Sequence, residues 1–501
     1  MNPHAETSPP DPDLSQLEPR HLWRRFDDLR RIPRPSKHEE AVRRWVLDFA
    51  ASHGCETEAD AAGNVVVRVP ASPGFEHAPI VVLQGHLDMV CEKNSDTEFD
   101  FFHDAIRLEL DGDRLTARGT TLGADNGVAV AAGLALLTDD TARHGPIELL
   151  FTVDEETGLN GARQLDPSIV RGRLLLNLDS EEEGVLTIGC AGARSAVVRL
   201  PLARTAAPAG SLLRLRVRGA SGGHSGGEIH LGRANAIRVL AEVLRQLPAD
   251  GLVALAGGSA PNVIPREAEA TLVGDPGALA AVVREAAEQL KAAYASTDPN
   301  LSVELAEIDG EGDQVLEPAV AKTLVTMLRE LPHGVLKMSE ALPGLVQTSS
   351  NLAMVSTGDD AAEIHCSNRS SVAADLDETV AAITTRAAEA GATVHTTRGY
   401  PGWEPNRHSK LLEMAVEVFR RLYDRDPEVS AVHAGLECGI LGEKIPGMEM
   451  ISFGPDIRNP HSPDEFVSVS SVRRVLGDYL GMLLETLALH SVTAANEPAP
   501  R

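Results

Sequence analysis

Short apolar runs recur along the first part of the chain, each bounded by glycine, proline, asparagine or a charged residue. Runs of this length and composition predict buried strands. They are NVVVRV, PIVVLQ, PIELLFTV and RLLLNL. Longer segments with helical periodicity, HEEAVRRWVLDFAASHG and NGVAVAAGLALLT, lie before and between them. Strands that alternate with helices predict an α/β architecture, with a mixed sheet flanked by helices.

The pattern changes after Ile188. Strands with one polar face now alternate with long amphipathic helices, as in SLLRLRVRG, EAEATLVG and GALAAVVREAAEQLKAAY. This pattern predicts an inserted α+β domain with helices on one side of its sheet. The turn-rich stretch YPGWEPN predicts a second boundary, after which the first pattern resumes. We therefore predict a discontinuous domain, residues 1–188 and 401–501, that carries an inserted domain, residues 189–400.

Composition limits the class of protein but does not indicate a particular function. The 501 residues are expected to form two or three domains, with loosely structured ends at residues 1–15 and 491–501. The net charge of −27 argues against nucleic acid or an anionic membrane as the main partner. The sequence has neither a membrane-spanning apolar stretch nor the features of a signal peptide. Five scattered cysteines without a CxxC pair predict reduced thiols in a cytoplasmic protein.

Histidine and acidic residues recur just after the apolar runs. They are His86, Asp88, Asp125, Glu155, Glu156, Asp179 and, near the end of the chain, His461. Binding sites in open α/β sheets form beyond the carboxyl ends of the strands, so we expect these side chains to meet. Each one alone is more simply explained as a solvated or hydrogen-bonded polar residue. Their recurrence at successive strand ends favours one shared site.

Local spacings add detail to this site. His86 and Asp88 share one face of an extended chain, so Asp88 is placed to hold the second ring nitrogen of a metal-bound His86. Asp125 precedes a helix, where it either caps the helix or bridges two metals with its two oxygens. Residues 462–465, SPDE, match a capping box, which predicts that a helix begins directly after His461.

The donor set indicates the kind of metal and the reaction. Two histidines with three or four carboxylates favour a pair of zinc ions over calcium or magnesium. Two metals about 3.5–4 Å apart suit the hydrolysis of an amide. One further carboxylate, not a ligand, is then needed to take a proton from water. Glu155 and Glu156 can serve one site together only if the strand PIELLFTV ends before them.

The motifs GHLDMV, GADNG, DEETG, NLDSEE and HSPDE resemble those of the co-catalytic zinc dipeptidases and deacylases related to carboxypeptidase G. Within that group the sequence is most similar to the aminoacyl-histidine dipeptidases, the peptidase D subfamily. This narrower similarity rests on GCAGARS, SGGHSGGEIHLGRANA, NVIPREA, QTSSNLA, HCSNRSS, VHAGLECG and SFGPDIRNPHSPDE. The motifs extend from about residue 20 to 490, and their common order makes the resemblance specific.

The resemblance implies a ligand set for two zinc ions, with manganese or cobalt as substitutes. The implied ligands are His86, Asp125, Glu156, Asp179 and His461. Asp125 would bridge the two ions. His86 and Asp179 would hold one ion. Glu156 and His461 would hold the other.

The resemblance also implies a reaction. Glu155 would be the general base and Asp88 the partner of His86. The implied activity is the hydrolysis of dipeptides, of the Xaa-His type and broader. An amidohydrolase, deacylase or tripeptidase of the same group is the alternative, and an inactive metal-binding scaffold is a third possibility. The acidic residues that follow Asp179, residues 181–183, exceed what this chemistry needs, and we expect them to be solvated.

For the inserted domain, the resemblance implies a lid that also forms a homodimer. His224 would reach the active site across the dimer or after closure, and would stabilise the oxyanion. Taken alone, His224 is a turn residue between glycines. Asn262 and Arg369 would bind the carboxylate of the substrate. Glu437 would contact the substrate amine, support the zinc site, or be a buried structural carboxylate.

Overall fold

The computed structural model describes residues 10–310 and 312–496. The chain divides into two compact units. The first unit comprises Met1–Ile188, Asn406–Ala431 and Leu436–Arg501, and the second comprises Gly189–Pro405 and Val432–Gly435. The boundaries expected from the sequence lay after residues 188 and 400.

The main sheet of the first unit has eight strands. In spatial order they are Glu56–Ala59, Val65–Val69, Ile147–Thr152, Val81–His86, Leu174–Asn177, Glu449–Ser452, Val185–Cys190 and Glu428–Val432. Val81–His86 lies between two parallel neighbours, Ile147–Thr152 and Leu174–Asn177. These strands are buried along nearly their whole length, as their continuous apolar runs predict. The predicted α/β class is confirmed.

Helices and a smaller sheet complete the first unit. The helices are Arg20–Leu29, Glu40–Ser52, Ala124–Ala135, Asn160–Gln164, Lys410–Tyr423, Glu437–Lys444, Val469–Val472 and Leu480–Asn496, with a π-helical stretch at Arg473–Tyr479 and short 3-10 helices at Leu14–Gln16 and Pro167–Ile169. A four-stranded antiparallel sheet contains Ile457–Arg458, Phe466–Ser468, Arg114–Ala117 and Leu108–Asp111. The sequence pattern did not predict this small sheet, because its strands are too short to show a clear periodicity.

The predicted loose ends are wrong where the structure describes them. Residues 491–496 continue the last helix. Near the start of the described chain, the carboxylate of Asp11 pairs with the guanidinium of Arg30 at 2.8 Å. Residues 1–9 and 497–501, which the same prediction covers, lie outside the described residues.

The second unit is built on an antiparallel sheet. Its spatial order is Ser302–Glu307, Ser211–Arg218, Ala268–Gly274, Leu252–Gly257, Val346–Thr357, Ala361–Ser370, Gly192–Pro201 and Thr393–Thr396, and Gly334–Met338 pairs with Val346–Thr357. The helices are Ala236–Leu244, Pro276–Ala293, Pro318–Glu330 and Ala373–Glu389, with 3-10 helices at Ile229–Leu231 and Ala249–Gly251 and a strand pair of Arg204–Ala206 and Gln314–Leu316. Alternate residues of Ser211–Arg218 are buried in the helix-covered core. This alternation matches the strands with one polar face that the sequence predicted.

Among the helices that the structure describes, none combines the length and the apolarity that a membrane-crossing segment requires.

Candidate metal centre

Three neighbouring parallel strands end at one edge of the main sheet of the first unit. His86 is the last residue of the middle strand. Asp179 lies two residues beyond the end of one neighbour, and Glu155 and Glu156 follow the end of the other. Because these strands are parallel and in register, their carboxyl ends bring the four side chains to the same edge.

One half of the site consists of His86, Asp125 and Asp179. Nε2 of His86 lies 3.1 Å from Oδ1 of Asp125 and 3.4 Å from Oδ1 of Asp179. Asp125 belongs to the segment that opens the helix Ala124–Ala135, but its own backbone is extended, with φ −77° and ψ 111°. This local departure from helical geometry lets Asp125 project its side chain from the start of the helix.

The other half consists of His461, Asp125 and Glu156. Nε2 of His461 lies 3.3 Å from Oδ2 of Asp125 and 3.1 Å from Oε2 of Glu156. Asp125 therefore faces each half with a different oxygen. The structure brings all five of the ligand residues predicted from the sequence into one cluster, in the two groups that the resemblance implied.

The donor set of this cluster fits metal ions. A tetrahedral ion with bonds of about 2.0–2.1 Å places its ligand atoms about 3.3–3.4 Å apart, close to the four distances above. Ligand atoms of His86, Asp125 and Glu156 all lie within 4.8 Å of one another. Oε1 of Glu156 is buried and has no hydrogen-bond partner among the described residues, so this carboxylate has an unused acceptor within the site.

The electrostatics of the cluster favour bound cations. Burial lowers the pKa of His86, but the carboxylates of Asp179, Asp125 and Asp88 outweigh burial and raise this pKa well above its ordinary value. Hydrogen bonds to Asp125 and Glu156 raise the pKa of His461 to about 11. Both rings therefore lie in a strongly negative environment, as expected for a site that binds divalent ions.

The DEETG turn gives its adjacent glutamates different surroundings. The strand has ended at Thr152, and Asp154 reverses the chain with φ 49°. The carboxylate of Asp154 accepts hydrogen bonds from Thr157 and Asn160 within the turn, so this side chain stabilises the turn. Glu156 faces His461, whereas burial, reinforced by nearby carboxylates, raises the pKa of Glu155 well above its ordinary value.

Asp88 links this turn to His86. Its Oδ1 accepts a hydrogen bond from the backbone N–H of Glu155 at 3.0 Å, and its Oδ2 accepts one from the N–H of Glu156 at 3.2 Å. Nδ1 of His86 lies 3.4 Å from Oδ1 of Asp88 and 3.1 Å from its backbone carbonyl oxygen. With Nδ1 facing these acceptors, Nε2 is the nitrogen available to a metal.

The capping box predicted after His461 is wrong. Residues 459–465 form the loop of a β-hairpin between Ile457–Arg458 and Phe466–Ser468, and the following helix begins at Val469 with Ser468 as its N-cap. The carboxylate of Glu465 does not cap this loop. It accepts hydrogen bonds from four backbone N–H groups of residues 122–125.

The prediction that residues 181–183 are solvated is wrong for Glu183. Its two oxygens accept hydrogen bonds from Arg474 at 2.5 and 2.6 Å. Glu181 is half-buried, and burial raises its pKa to about 8. Only Glu182 is exposed. The run of acidic residues could not predict this pairing, because Arg474 is distant from Glu183 in the sequence.

Glu437 is fully buried in the first unit. Its Oε2 accepts hydrogen bonds from Nε2 of Gln84 and Oγ1 of Thr152, both at 2.6 Å, while its Oε1 has no partner among the described residues. Burial raises the pKa of Glu437 to about 7. Since Gln84 and Thr152 belong to two of the strands that end at the cluster, these hydrogen bonds connect Glu437 to those strands.

His224 lies in the second unit, at an exposed position in its glycine-rich turn. Its Nδ1 accepts a hydrogen bond from the backbone N–H of Gly227 at 3.0 Å. Partial desolvation of the ring and the charge of Arg369 lower the pKa of His224, so the ring is neutral near pH 7. Because Nδ1 is the acceptor, the proton of the neutral ring is on Nε2. The turn therefore presents an N–H donor.

Asn262 and Arg369 belong to the same unit as His224. The backbone oxygen of Asn262 accepts a hydrogen bond from the N–H of Ser225 at 2.8 Å, next to His224. Nη1 of Arg369 donates to the hydroxyl of Tyr400 at 3.1 Å, and its Nε is buried without a partner among the described residues. The structure brings these residues close to the His224 turn, and Arg369 retains an unused donor.

Arg34 is a supporting residue that sequence reasoning missed. It is buried, and it donates to the backbone oxygens of Leu87 at 2.9 Å, Asp88 at 2.8 Å and Gly123 at 2.5 Å. The sequence signal is weak, because Arg34 is marked only by the prolines on either side of it. Its targets are backbone atoms, which leave no trace in side-chain patterns.

Comparisons with known proteins extend over nearly the whole chain. Residues 82–485 match the family described as Peptidase family M20/M25/M40. The cytosol non-specific dipeptidase of Escherichia coli (strain K12) is 39% identical over 482 residues, which cover 95% of this chain and 98% of that protein. The crystal structure of aminoacylhistidine dipeptidase from Vibrio alginolyticus matches with a TM-score of 0.89 at 38% identity, over 95% of this chain and 98% of that one. Aminopeptidase PepT from Bacillus cereus ATCC 10987 shares the fold, with a TM-score of 0.56 at 15% identity, over 94% and 99% of the two chains.

Proposed function

Because the chain belongs to peptidase family M20/M25/M40, we propose that it is a metal-dependent dipeptidase whose general base is Glu155. The observation that carries this proposal is the paired cluster at the sheet edge, in which Asp125 faces one histidine with each oxygen. The 39% identity to a cytosol non-specific dipeptidase supports dipeptides as the substrate class. A cytoplasmic location and a homodimer form part of the same proposal.

The proposed metals are two zinc ions, with manganese or cobalt as substitutes. His86 and Asp179 would hold one ion, His461 and Glu156 would hold the other, and Asp125 would contribute one oxygen to each half of the site. When bound, such ions polarise the scissile carbonyl and lower the pKa of water. The mixed imidazole and carboxylate set suits zinc better than calcium or magnesium, which prefer oxygen ligands.

Glu155 is the residue proposed to move protons. It takes a proton from the attacking water and delivers it to the nitrogen of the leaving amine. Burial raises the pKa of Glu155, so this carboxyl is a stronger base than an exposed glutamate. The hydrogen bond from its backbone N–H to Asp88 holds the start of the turn in place, so that Glu155 and Glu156 keep different positions.

The second unit is proposed to bind the substrate. Arg369 and Asn262 bind the C-terminal carboxylate of the dipeptide, and the unused buried Nε of Arg369 supports this role. His224 stabilises the oxyanion through its Nε2–H, which is consistent with the tautomer that Gly227 selects. Since Glu437 is fully buried, we propose that it supports the site and does not contact the substrate amine.

A substrate panel tests this function. The full-length protein is stripped of metal with a chelator, reconstituted with zinc, manganese or cobalt, and assayed on Xaa-His and other dipeptides. Dipeptide amides, tripeptides and N-acyl amino acids form the comparison set. We expect metal-dependent cleavage of dipeptides and poor cleavage of dipeptide amides, which lack the carboxylate. Faster turnover of tripeptides or N-acyl amino acids would overturn the dipeptidase assignment, and a homodimer is checked by sedimentation.

A further inference from the structure

Glu465 places its carboxylate against four consecutive backbone N–H groups. Oε2 accepts from Leu122 at 2.7 Å and Gly123 at 3.0 Å, and Oε1 accepts from Ala124 at 2.8 Å and Asp125 at 3.3 Å. Glu465 is only 2% exposed, so water does not compete for these donors. The carboxylate thus binds the segment that carries the proposed bridging residue.

Arg34 binds a backbone carbonyl oxygen of the same segment. Its Nη2 donates to the carbonyl oxygen of Gly123 at 2.5 Å, and its Nη1 donates to the carbonyl oxygens of Leu87 and Asp88. Gly123 has φ 69°, and a Cβ there would lie 2.6 Å from Nη2 of Arg34. The backbone of residues 122–125 is therefore held by an anion on its N–H groups and by a cation on a carbonyl oxygen.

These contacts join three segments that carry the proposed ligands. Glu465 lies in the same hairpin loop as His461, so its carboxylate ties that loop to Asp125. Arg34 ties the loop after His86 to the same segment. Oδ1 of Asp125 lies 3.1 Å from Nε2 of His86, and Oδ2 lies 3.3 Å from Nε2 of His461. A shift of the segment that carries Asp125 therefore alters both halves of the cluster.

We infer that Glu465, with Arg34, is a positioning residue that sets Asp125 between His86 and His461, and that the binding of both metal ions depends on it. This inference rests on the proposed two-metal function. A carboxylate is required because its two oxygens accept all four N–H groups. The amide of glutamine has one oxygen, and its NH₂ group would face N–H donors.

The test measures metal binding independently of activity. Metal-free full-length protein is titrated with Co²⁺, and binding is followed by calorimetry and by the visible absorption of the bound ion. We expect Glu465→Gln to weaken both equivalents by about 10–100-fold and to change the Co²⁺ spectrum. The thermal midpoint of the metal-free protein reports any general loss of stability. Glu182→Gln, at an exposed carboxylate, is the matched control and should leave all three measurements unchanged.

Two results would overturn the inference. One is wild-type affinity and spectrum for both equivalents in Glu465→Gln. The other is a loss of binding that appears only together with a lower midpoint of the metal-free protein. If Glu465→Gln does not fold, Glu465→Asp serves instead, because its shorter side chain cannot reach all four N–H groups, and unchanged affinity in that variant would count equally against the inference. A wild-type protein that binds fewer than two equivalents would contradict the proposed function, while the affinity of the remaining ion would still test Glu465.

Discussion

The carboxylate of Asp88 accepts a hydrogen bond from the backbone N–H of Glu155 at 3.0 Å. The same carboxylate lies 3.4 Å from Nδ1 of His86 and accepts a hydrogen bond from Ser36 at 2.8 Å. One side chain thus orients a proposed metal ligand and also holds the turn that carries the proposed base. Hydrogen bonds to His86, to the turn and to Ser36 lower the pKa of Asp88 to about 2 despite its burial, so the carboxylate is ionised at neutral pH.

Replacing Asp88 should disturb both the orientation of His86 and the conformation of the turn that carries Glu155. In Asp88→Asn, an NH₂ group replaces one acceptor oxygen and faces N–H donors, so the turn and the ring of His86 lose their common anchor. We expect kcat on a dipeptide and the affinity for metal to fall together by about 10–100-fold. Steady-state kinetics and a chelator competition measure these quantities. Asp96→Asn, at an exposed carboxylate, should leave both unchanged; a normal kcat in Asp88→Asn would contradict the proposed anchor.

The two adjacent glutamates should separate metal binding from proton transfer. Glu155→Gln should lower kcat by about 10²–10⁴-fold while two metal equivalents remain bound, because it removes only the group that transfers the proton. Glu156→Gln should instead lower the metal content, because it removes a proposed ligand 3.1 Å from His461. Metal analysis of both purified variants alongside kinetics makes the comparison. The opposite pattern, with metal lost only in Glu155→Gln, would reverse the two roles.

Replacing His224 should lower kcat without changing the metal content of the protein. Its neutral ring donates from Nε2, because Nδ1 accepts the N–H of Gly227. We expect His224→Ala to lower kcat by about 10²–10³-fold, as for the loss of an oxyanion donor, with metal content unchanged. ¹⁵N NMR of the histidine rings should show an unprotonated Nδ1 for His224. His230→Ala, at an exposed histidine nearby in the sequence, is the control, and equal kinetic effects of the two substitutions would argue against a specific donor.

His333 should make the second unit less stable in acid. Its Nδ1 accepts a hydrogen bond from the N–H of Leu352 at 3.3 Å, and burial, aided by the charge of Arg238, lowers its pKa to about 3. An unfolded histidine has a pKa of about 6.5. Between these values the unfolded chain binds more protons, so stability falls as pH decreases, by about 2 kcal/mol between pH 7 and pH 5.

Urea unfolding at several pH values measures this dependence. His333→Gln should show a shallower loss of stability between pH 7 and pH 5 than the wild type. His395→Gln, at an exposed histidine of the same unit, should retain the wild-type slope. An unchanged slope in His333→Gln would show that other groups cause the acid sensitivity.

Sequence patterns predicted the fold class and the members of the cluster. The four buried strands of the first unit lie within two residues of their predicted bounds. His86, Asp179 and the DEETG turn could be placed because they follow such strands, and parallel strands end at a common edge. The different positions of Glu155 and Glu156 could not be predicted from their spacing, because they depend on how Asp88 holds the turn.

The segment after His461 shows that a local sequence pattern does not by itself determine the structure. Residues 462–465 match a capping box, and Glu465 is in the position that would accept a hydrogen bond from the cap. In the structure it accepts four N–H groups of residues 122–125 instead, more than three hundred residues earlier in the chain. The sequence SPDE is compatible with a helix N-terminus and with a hairpin loop. The pairing of Ile457–Arg458 with Phe466–Ser468 determines that it forms the loop.

The sequence by itself therefore determined which strands form, because continuous apolar runs must be buried, and which side chains follow them. Only the tertiary structure decided how those side chains are held. The supports of the site, Arg34 and Glu465, act on backbone carbonyl and N–H groups, which every residue carries and no sequence pattern marks. The fold determines which of these backbone groups lie close to Arg34 and Glu465. Burial then excludes the water that would otherwise hydrogen-bond to the same groups.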